Sequence, residues 1–280
     1  MKRLASALLV CLLAPGAHAQ GPVVAFEVAS IKPSAPGGPR GGFGMAPNGR
    51  FMAHGATLAE LITLGYSTGL PLRRFQVTGG LAWLDTDRFD IEATSSLATP
   101  TPAQSMRMIR ALLVERFKLV AREETTDAPI YVLNLARSDG QLGPKMKRSA
   151  NTCFAPSAPP PSPEDAAKCV YNIGYGVLTA RGVPMQTLAY SIQNFYGIGR
   201  LVVDHTGLPG GYDMDMEWAP MTQFRQPGNL DPPADAAERP VNSGPTIFVA
   251  LREQLGLSLD AARGPMPTVV IERVEKPTPD

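Results

Sequence analysis

The side chains best suited to chemistry are acidic and few. Asp213, Asp215 and Glu217 alternate with Tyr212, Met214, Met216 and Trp218, which sets three carboxylates on one face of a strand. Asp204 lies a short way upstream. Several carboxylate oxygens suit a hard cation such as calcium. An acid pair drawn from Asp204, Asp213 and Asp215 would instead suit hydrolysis. The same alternation also describes the solvent face of a half-buried strand, and Asp90 with Glu92 repeats it earlier in the chain. Beyond a candidate leader, histidine occurs only at His54 and His205. His205, between Asp204 and Thr206, has the titration range for acid–base work. Ser191 lies in no Gly-x-Ser-x-Gly elbow, and Gly79-Gly80 and Gly210-Gly211 lack the lysine and helix of a phosphate loop. These residues name no catalytic group, no metal ligand and no cofactor. The acidic face of Asp204, Asp213, Asp215 and Glu217 is a candidate site only.

The ends and the cysteines bound the compartment. Lys2 and Arg3, the apolar run Leu4–Leu13 and Ala17-His18-Ala19 read as a secretory signal over residues 1–19, cleaved after Ala19. Cys11 follows Val10, a residue too large for the usual lipidation box. The apolar run is too short to span a bilayer, and no later run in the mature chain is long enough. Cleavage leaves 24 basic side chains against 25 acidic ones. No basic stripe is present, which argues against nucleic acid as a partner. Two cysteines remain, Cys153 and Cys169, and an isolated pair in an oxidising compartment is expected to form a disulfide. The expected location is periplasmic or secreted. The 28 prolines and 27 glycines suit a strand-and-turn protein with long loops.

The elements that must position these residues occur twice. G-R-F-M-A-H-G-A-T-L-A-E-L from Gly49 matches G-V-L-T-A-R-G-V-P-M-Q-T-L from Gly176 at an offset of 127. F-Q-V-T-G-G matches V-D-H-T-G-L at an offset of 128, F-D-I-E matches Y-D-M-D, and A-L-L-V-E-R-F-K-L matches A-L-R-E-Q-L-G-L. Thr57 with Glu60 forms a capping box before a helix whose apolar face is Leu58, Leu61, Ile62 and Gly65. A second helix over Ala103–Arg116 carries Met106, Ile109, Leu112 and Leu113. Lys118–Glu123 and Pro129–Ala136 are predicted to fold back on each other as a hairpin. In the second copy Pro184 opens a helix with Met185, Leu188, Ala189 and Ile192 buried. Ser243 or Thr246 caps another carrying Phe248, Leu251 and Leu255, and two strands, Leu257–Ala261 and Thr268–Val274, close the unit. The fold class is α+β, with two related β-α-β-β-α-β-β units joined by a disulfide-stapled, Pro-rich loop. The units span 20–145 and 176–280, the loop 146–175. Residues 222–242, rich in Pro, Asp, Gln and Asn, read as a mobile insertion.

The chain also resembles a known family. The motifs are F-E-V-A-S-I-K-P-S near the start, G-x-F-x-A-x-G-A-T-L, W-L-D-T-D-R-F-D-I-E-A, L-L-x-E-R-F-K-L, V-D-x-T-G-L-P-G-x-Y-D, and the closing L-R-E-Q-L-G-L-S-L-D with V-V-I-E-R-V-E-K-P. They are similar to those of the soil-associated bacterial proteins that carry domain of unknown function 3738. The resemblance implies export and no particular activity. Some related domains are joined to membrane-bound zinc peptidases, but this chain has no His-Glu-x-x-His. A weaker similarity links the strand–helix–hairpin order to periplasmic modules of secretins and TonB-dependent receptors, which bind proteins. The expected function is a non-enzymatic binding module for an envelope protein or peptide. The rival expectations are an extracellular hydrolase and a small-ligand sensory domain. Tyr171, Tyr175, Phe195, Tyr196 and Trp218 would supply aromatic surface or core to the second half.

Overall fold

The computed structural model describes residues 25–278 except 36, 39–41, 47, 69, 155–163, 165–167, 175, 196–197 and 220–243. The leader (1–19) and the insertion (222–242) read from sequence lie outside the described residues. The first half runs β1 (Val28–Pro33), β2 (Phe43–Met45), β3 (Arg50–Thr57), α1 (Leu58–Gly65), β4 (Val77–Gly79), α2 (Trp83–Thr86), β5 (Arg88–Thr94), α3 (Pro102–Arg116) and β6 (Val120–Leu135). The second runs β7 (Met146–Arg148), β8 (Val170–Gly174), β9 (Val177–Val183), α4 (Met185–Phe195), β10 (Val202–Asp204), β11 (Tyr212–Glu217), α5 (Ile247–Ala250), a π turn (Leu251–Leu255) and β12 (Leu257–Arg273). The chain is thus mixed α+β, with several sheets and few helices.

Three four-stranded sheets result, ordered β1-β5-β3-β2, β10-β6-β12-β4 and β7-β11-β9-β8. The outer two are antiparallel throughout. The middle sheet draws on both halves. β6 and β12 run antiparallel at its centre. β4 adds in parallel to β12, and β10 in parallel to β6.

The local chemistry behind the helices is direct. Thr57 accepts from the Glu60 amide while Glu60 accepts from the Thr57 amide, and Thr101 and Gln104 repeat the arrangement ahead of α3. Gly65 on α1 lets α3 approach, since a Cβ there would lie 3.3 Å from the Arg110 nitrogen. On α3 the buried face uses Met108 in place of the expected Met106.

The predicted hairpin does not form. Residues 120–135 make one continuous strand, and so do 257–273. Thr125–Ala128 has no glycine or Asn-Gly pair to reverse the chain, and the whole stretch finds its partner in β12, from Val120↔Arg273 to Leu257↔Leu135. Each unit therefore has one closing strand where two were expected. The loop set at 146–175 is also shorter than expected, because its ends are strands: β7 pairs with β11 and β8 with β9.

The long strands carry apolar residues into two cores. The first core gathers Phe51, Leu61, Phe89 and Leu113 with Leu119 just before β6 and Val269 and Ile271 from the end of β12. The second gathers Leu188, Met214, Trp218 and Leu251 with Leu133 from the end of β6 and Leu257 and Leu259 from the start of β12. Each core therefore contains side chains from the other half's closing strand.

Candidate functional site

Three of the four acidic side chains, those of Asp204, Asp213 and Asp215, are engaged by the fold itself, and Glu217 is held through its backbone. Asp213 accepts from the Gly182 amide at 3.0 Å. Asp215 pairs with the Arg181 guanidinium at 3.0 Å. The Glu217 backbone is clamped by the Gln254 amide, which donates to its carbonyl at 2.6 Å and accepts from its N–H at 3.0 Å. Asp204 accepts from the Thr206 amide and hydroxyl at 2.9 and 2.8 Å, a side-chain turn. The first three share one face of β11. Asp204 stands on β10, in a different sheet. Among the described residues no group of His, Cys, Asp and Glu is placed to hold a metal ion.

The first half repeats the pattern. Asp90 accepts from the Gly55 amide at 2.8 Å and from the Ser34 hydroxyl at 2.7 Å, and Glu92 pairs with Arg50. Both glycines are in the left-handed region, Gly55 at φ 65° and Gly182 at φ 73°. The strand register shifts beside each one, between Ala53 and Ala56 and between Tyr212 and Met214. A bulge turns an amide out of the ladder, and the carboxylate satisfies it. The Ser34 hydroxyl, then the Gly55 amide, hold the Asp90 carboxyl below its usual range. The alternation of Asp213 with Met214 marked a solvent face. The glycine partner was visible only as Gly182 in a matched block.

Cys153 and Cys169 form the expected disulfide, with Cα atoms 5.8 Å apart. His54 is half-buried on β3. His205 is exposed, and its backbone amide extends the β10 ladder to the Leu133 carbonyl at 2.9 Å.

Two of the second-half aromatics turn inward: Trp218 is buried, and burial pushes the Tyr171 phenol up to about 12. Tyr175, Tyr196 and the Phe195 side chain lie outside the described residues.

The described residues form, among other concavities, two surface hollows. One, about 310 Å³, is lined by Ser34, Gly37, Gly55, Thr86 and Arg88. Arg88 donates to the Gly55 carbonyl at 2.6 Å, so this hollow sits over the Asp90 bulge. The other, about 420 Å³, is lined by Phe248, Val249, Arg252, Glu253, Ser258 and Leu259. Phe248 is 37% exposed and Val249 41%. The sequence pattern set Phe248 on the buried face with Leu251 and Leu255. The helix instead buries Ile247, Ala250, Leu251 and Leu255, a face in ordinary i, i+3, i+4, i+8 spacing that leaves Phe248 beside it. Thr246 provides the cap, accepting from the Val249 amide. Phe248 rests against the Tyr131 ring, with centroids 5.7 Å apart, and the Arg200 guanidinium lies 5.3 Å from that ring's centre on β6.

A three-sheet α+β scaffold with a stapled loop and an open apolar hollow defines the class. The chain belongs to the family described as protein of unknown function (DUF3738), whose model matches residues 59–274. No curated protein matches the chain, and no solved structure does.

Proposed function

We propose that the chain is an exported binding module for an envelope protein or peptide, built from two copies of one β-α-β-β-α-β unit. The observation that carries the binding reading is the hollow at Phe248 and Val249, two large apolar side chains left in solvent beside a concave surface. Export is supported by the leader motif and by the Cys153–Cys169 disulfide. No helix among the described residues is long and apolar enough to cross a membrane. Duplication is supported by the offset of 127 that links Gly49 to Gly176 and Gly55 to Gly182, all four at positive φ. The engagement of Asp213 by Gly182 and of Asp215 by Arg181 favours binding over hydrolysis at the acidic face.

The test compares the mature chain with a Phe248→Ser/Val249→Ser variant and with alanine at Asp204, Asp213 and Asp215. Immobilised wild-type protein is expected to retain defined peptides or envelope proteins that the Phe248 variant does not. Turnover of any substrate in a hydrolase panel, lost specifically in the aspartate variants, would overturn the binding reading.

A further inference from the structure

A sheet edge offers unpaired amides and carbonyls to any further strand, and most edges of this fold are blunted. β2, β4, β7 and β10 are three residues long. β1 ends in Lys32-Pro33, and Arg116 donates to its Ala29 carbonyl at 2.9 Å. The part of β6 that runs past β10 carries Arg122, Glu124 and Asp127. The part of β12 that runs past β4 carries Asp260, Pro265 and Pro267. Among the described residues β8 is the one edge longer than three residues with neither a charge nor a proline. It reads Val-Tyr-Asn-Ile-Gly over Val170–Gly174 and closes the β7-β11-β9-β8 sheet. Among the described residues no group outside β9 hydrogen-bonds its backbone.

The hairpin fixes which groups are open. Gly174 pairs with Val177 across a two-residue loop, and the closing pair of such a hairpin is hydrogen-bonded. Alternation then turns the backbone groups of Val170 and Asn172 toward β9 and those of Tyr171 and Ile173 outward. The side chains of Tyr171 and Ile173 pack, partly buried, on the second core. Asn172 is exposed and Val170 is 40% exposed. Phe154, 43% exposed, sets its ring 5.8 Å from that of Tyr171, so apolar surface flanks the open edge.

We infer that β8 is a homodimer interface, pairing antiparallel with β8 of a second copy about a twofold axis at Asn172. The strand is self-complementary in that register. Tyr171 of each copy lies opposite Ile173 of the other, an aromatic–β-branched pair of the kind that stabilises sheets. The two such pairs exchange about four main-chain hydrogen bonds. Val170 meets Gly174, and Asn172 meets its own copy with no charge to repel it. Lys168, the nearest cation along the chain, faces Gly176. The same operation on β7 would set Lys147 against itself. An unrelated extended peptide would make the backbone bonds without these side-chain pairs, which favours the second copy. The inference is independent of the hollow at Phe248.

The experiment is sedimentation velocity on the full mature chain from about 1 to 500 μM. A monomer–dimer equilibrium is expected, with a dissociation constant on the order of tens of micromolar, as suits a strand-sized interface. Asn172→Lys and Asn172→Glu each set like charges directly opposite, and each alone should weaken self-association at least about tenfold. An equimolar mixture of the two should form a heterodimer within about threefold of wild-type affinity at low salt, and high salt should weaken it. In wild type, hydrogen exchange at the Tyr171 and Ile173 amides should slow as concentration rises, while that at Asn172 stays constant. Circular dichroism and a urea melt check that each variant is folded. Three results overturn the inference: a chain that stays monomeric throughout, a dimer that both single Asn172 variants retain, or a mixture no tighter than the variants alone. A dimer that Phe248→Ser abolishes overturns it too and moves the contact to the hollow. A monomer whose Tyr171 and Ile173 amides are protected only by an added Gly/Ser-flanked Val-Thr-Val-Thr-Val peptide overturns the second copy and makes the edge a peptide site.

Discussion

Asp90 and Asp213 each give a carboxylate oxygen to the amide of a left-handed glycine, at 2.8 and 3.0 Å. Each holds a bulge at the point where a strand turns into a helix. Removing either carboxylate orphans a donor, which costs about 1–3 kcal/mol. Asp90→Ala and Asp213→Ala are therefore expected to lower urea midpoints without changing the slope. The pH dependence has a definite sign for Asp90. Its folded pKa is depressed below the ordinary 3.8, so its stabilisation is complete above that value and drains away as pH falls through the folded pKa. Stability curves for wild type and Asp90→Asn should converge as pH drops below about 4. Curves that stay parallel would remove the carboxylate from the account. Gly182 gives a second test. It has φ 73°, and a Cβ there would sit 2.7 Å from the Cys153 sulfur. Gly207 has a similar φ of 67° with nothing within 4 Å. Gly182→Ala should cost more than Gly207→Ala in the same denaturation assay, the first by well over about 1 kcal/mol. Equal losses would show that backbone strain alone matters at Gly182.

The elements set by local chemistry were legible in the sequence. Thr57 and Glu60 announced the start of α1, and the strict alternation from Tyr212 to Trp218 announced β11. What could not be read was partnership at long range. A stretch such as residues 120–135 has the same apolar pattern whether it doubles back or lies along a distant strand. The matched motifs aligned Val77 with His205, yet β4 begins at Val77 and β10 at Val202, because pairing with β12 and β6 decides where each short strand starts. Phe248 was misplaced because Phe248, Leu251 and Leu255 fit a helical stripe as well as Ile247, Ala250, Leu251 and Leu255 do, and only packing chooses between them. The crossed partnership makes a prediction. Residues 20–145 alone would leave β4 without its partner β12 and the first core without Val269, Ile271 and Val274. The fragment should be unfolded or aggregated by circular dichroism, and mixing it with residues 146–280 should restore a cooperative melt. Cooperative melting of the fragment as a monomer would show that the halves are separable domains.

At the scale of the molecule, the middle sheet takes strands from both halves. The chain positions on either side of 220–243 meet: the Ala219 amide donates to the Pro245 carbonyl at 2.8 Å. Replacing residues 221–243 with a short Gly/Ser link should therefore change stability by less than about 1 kcal/mol, since closure entropy depends weakly on length. A larger loss in a urea melt would show that the replaced residues pack on the fold. The family model, by contrast, runs through this point from 59 to 274, so it takes in the second core and the part of the first that follows Leu58.

The Ala219–Pro245 bond also makes this junction a natural mounting point. Gly244 must stay, since a Cβ there would lie 3.1 Å from the Ala219 nitrogen. A fluorescent reporter domain inserted within residues 221–243 would instead stand beside the hollow with Gly244 and both cores unchanged. Its emission would turn the seam of the molecule into an optical gauge of what settles on the neighbouring surface.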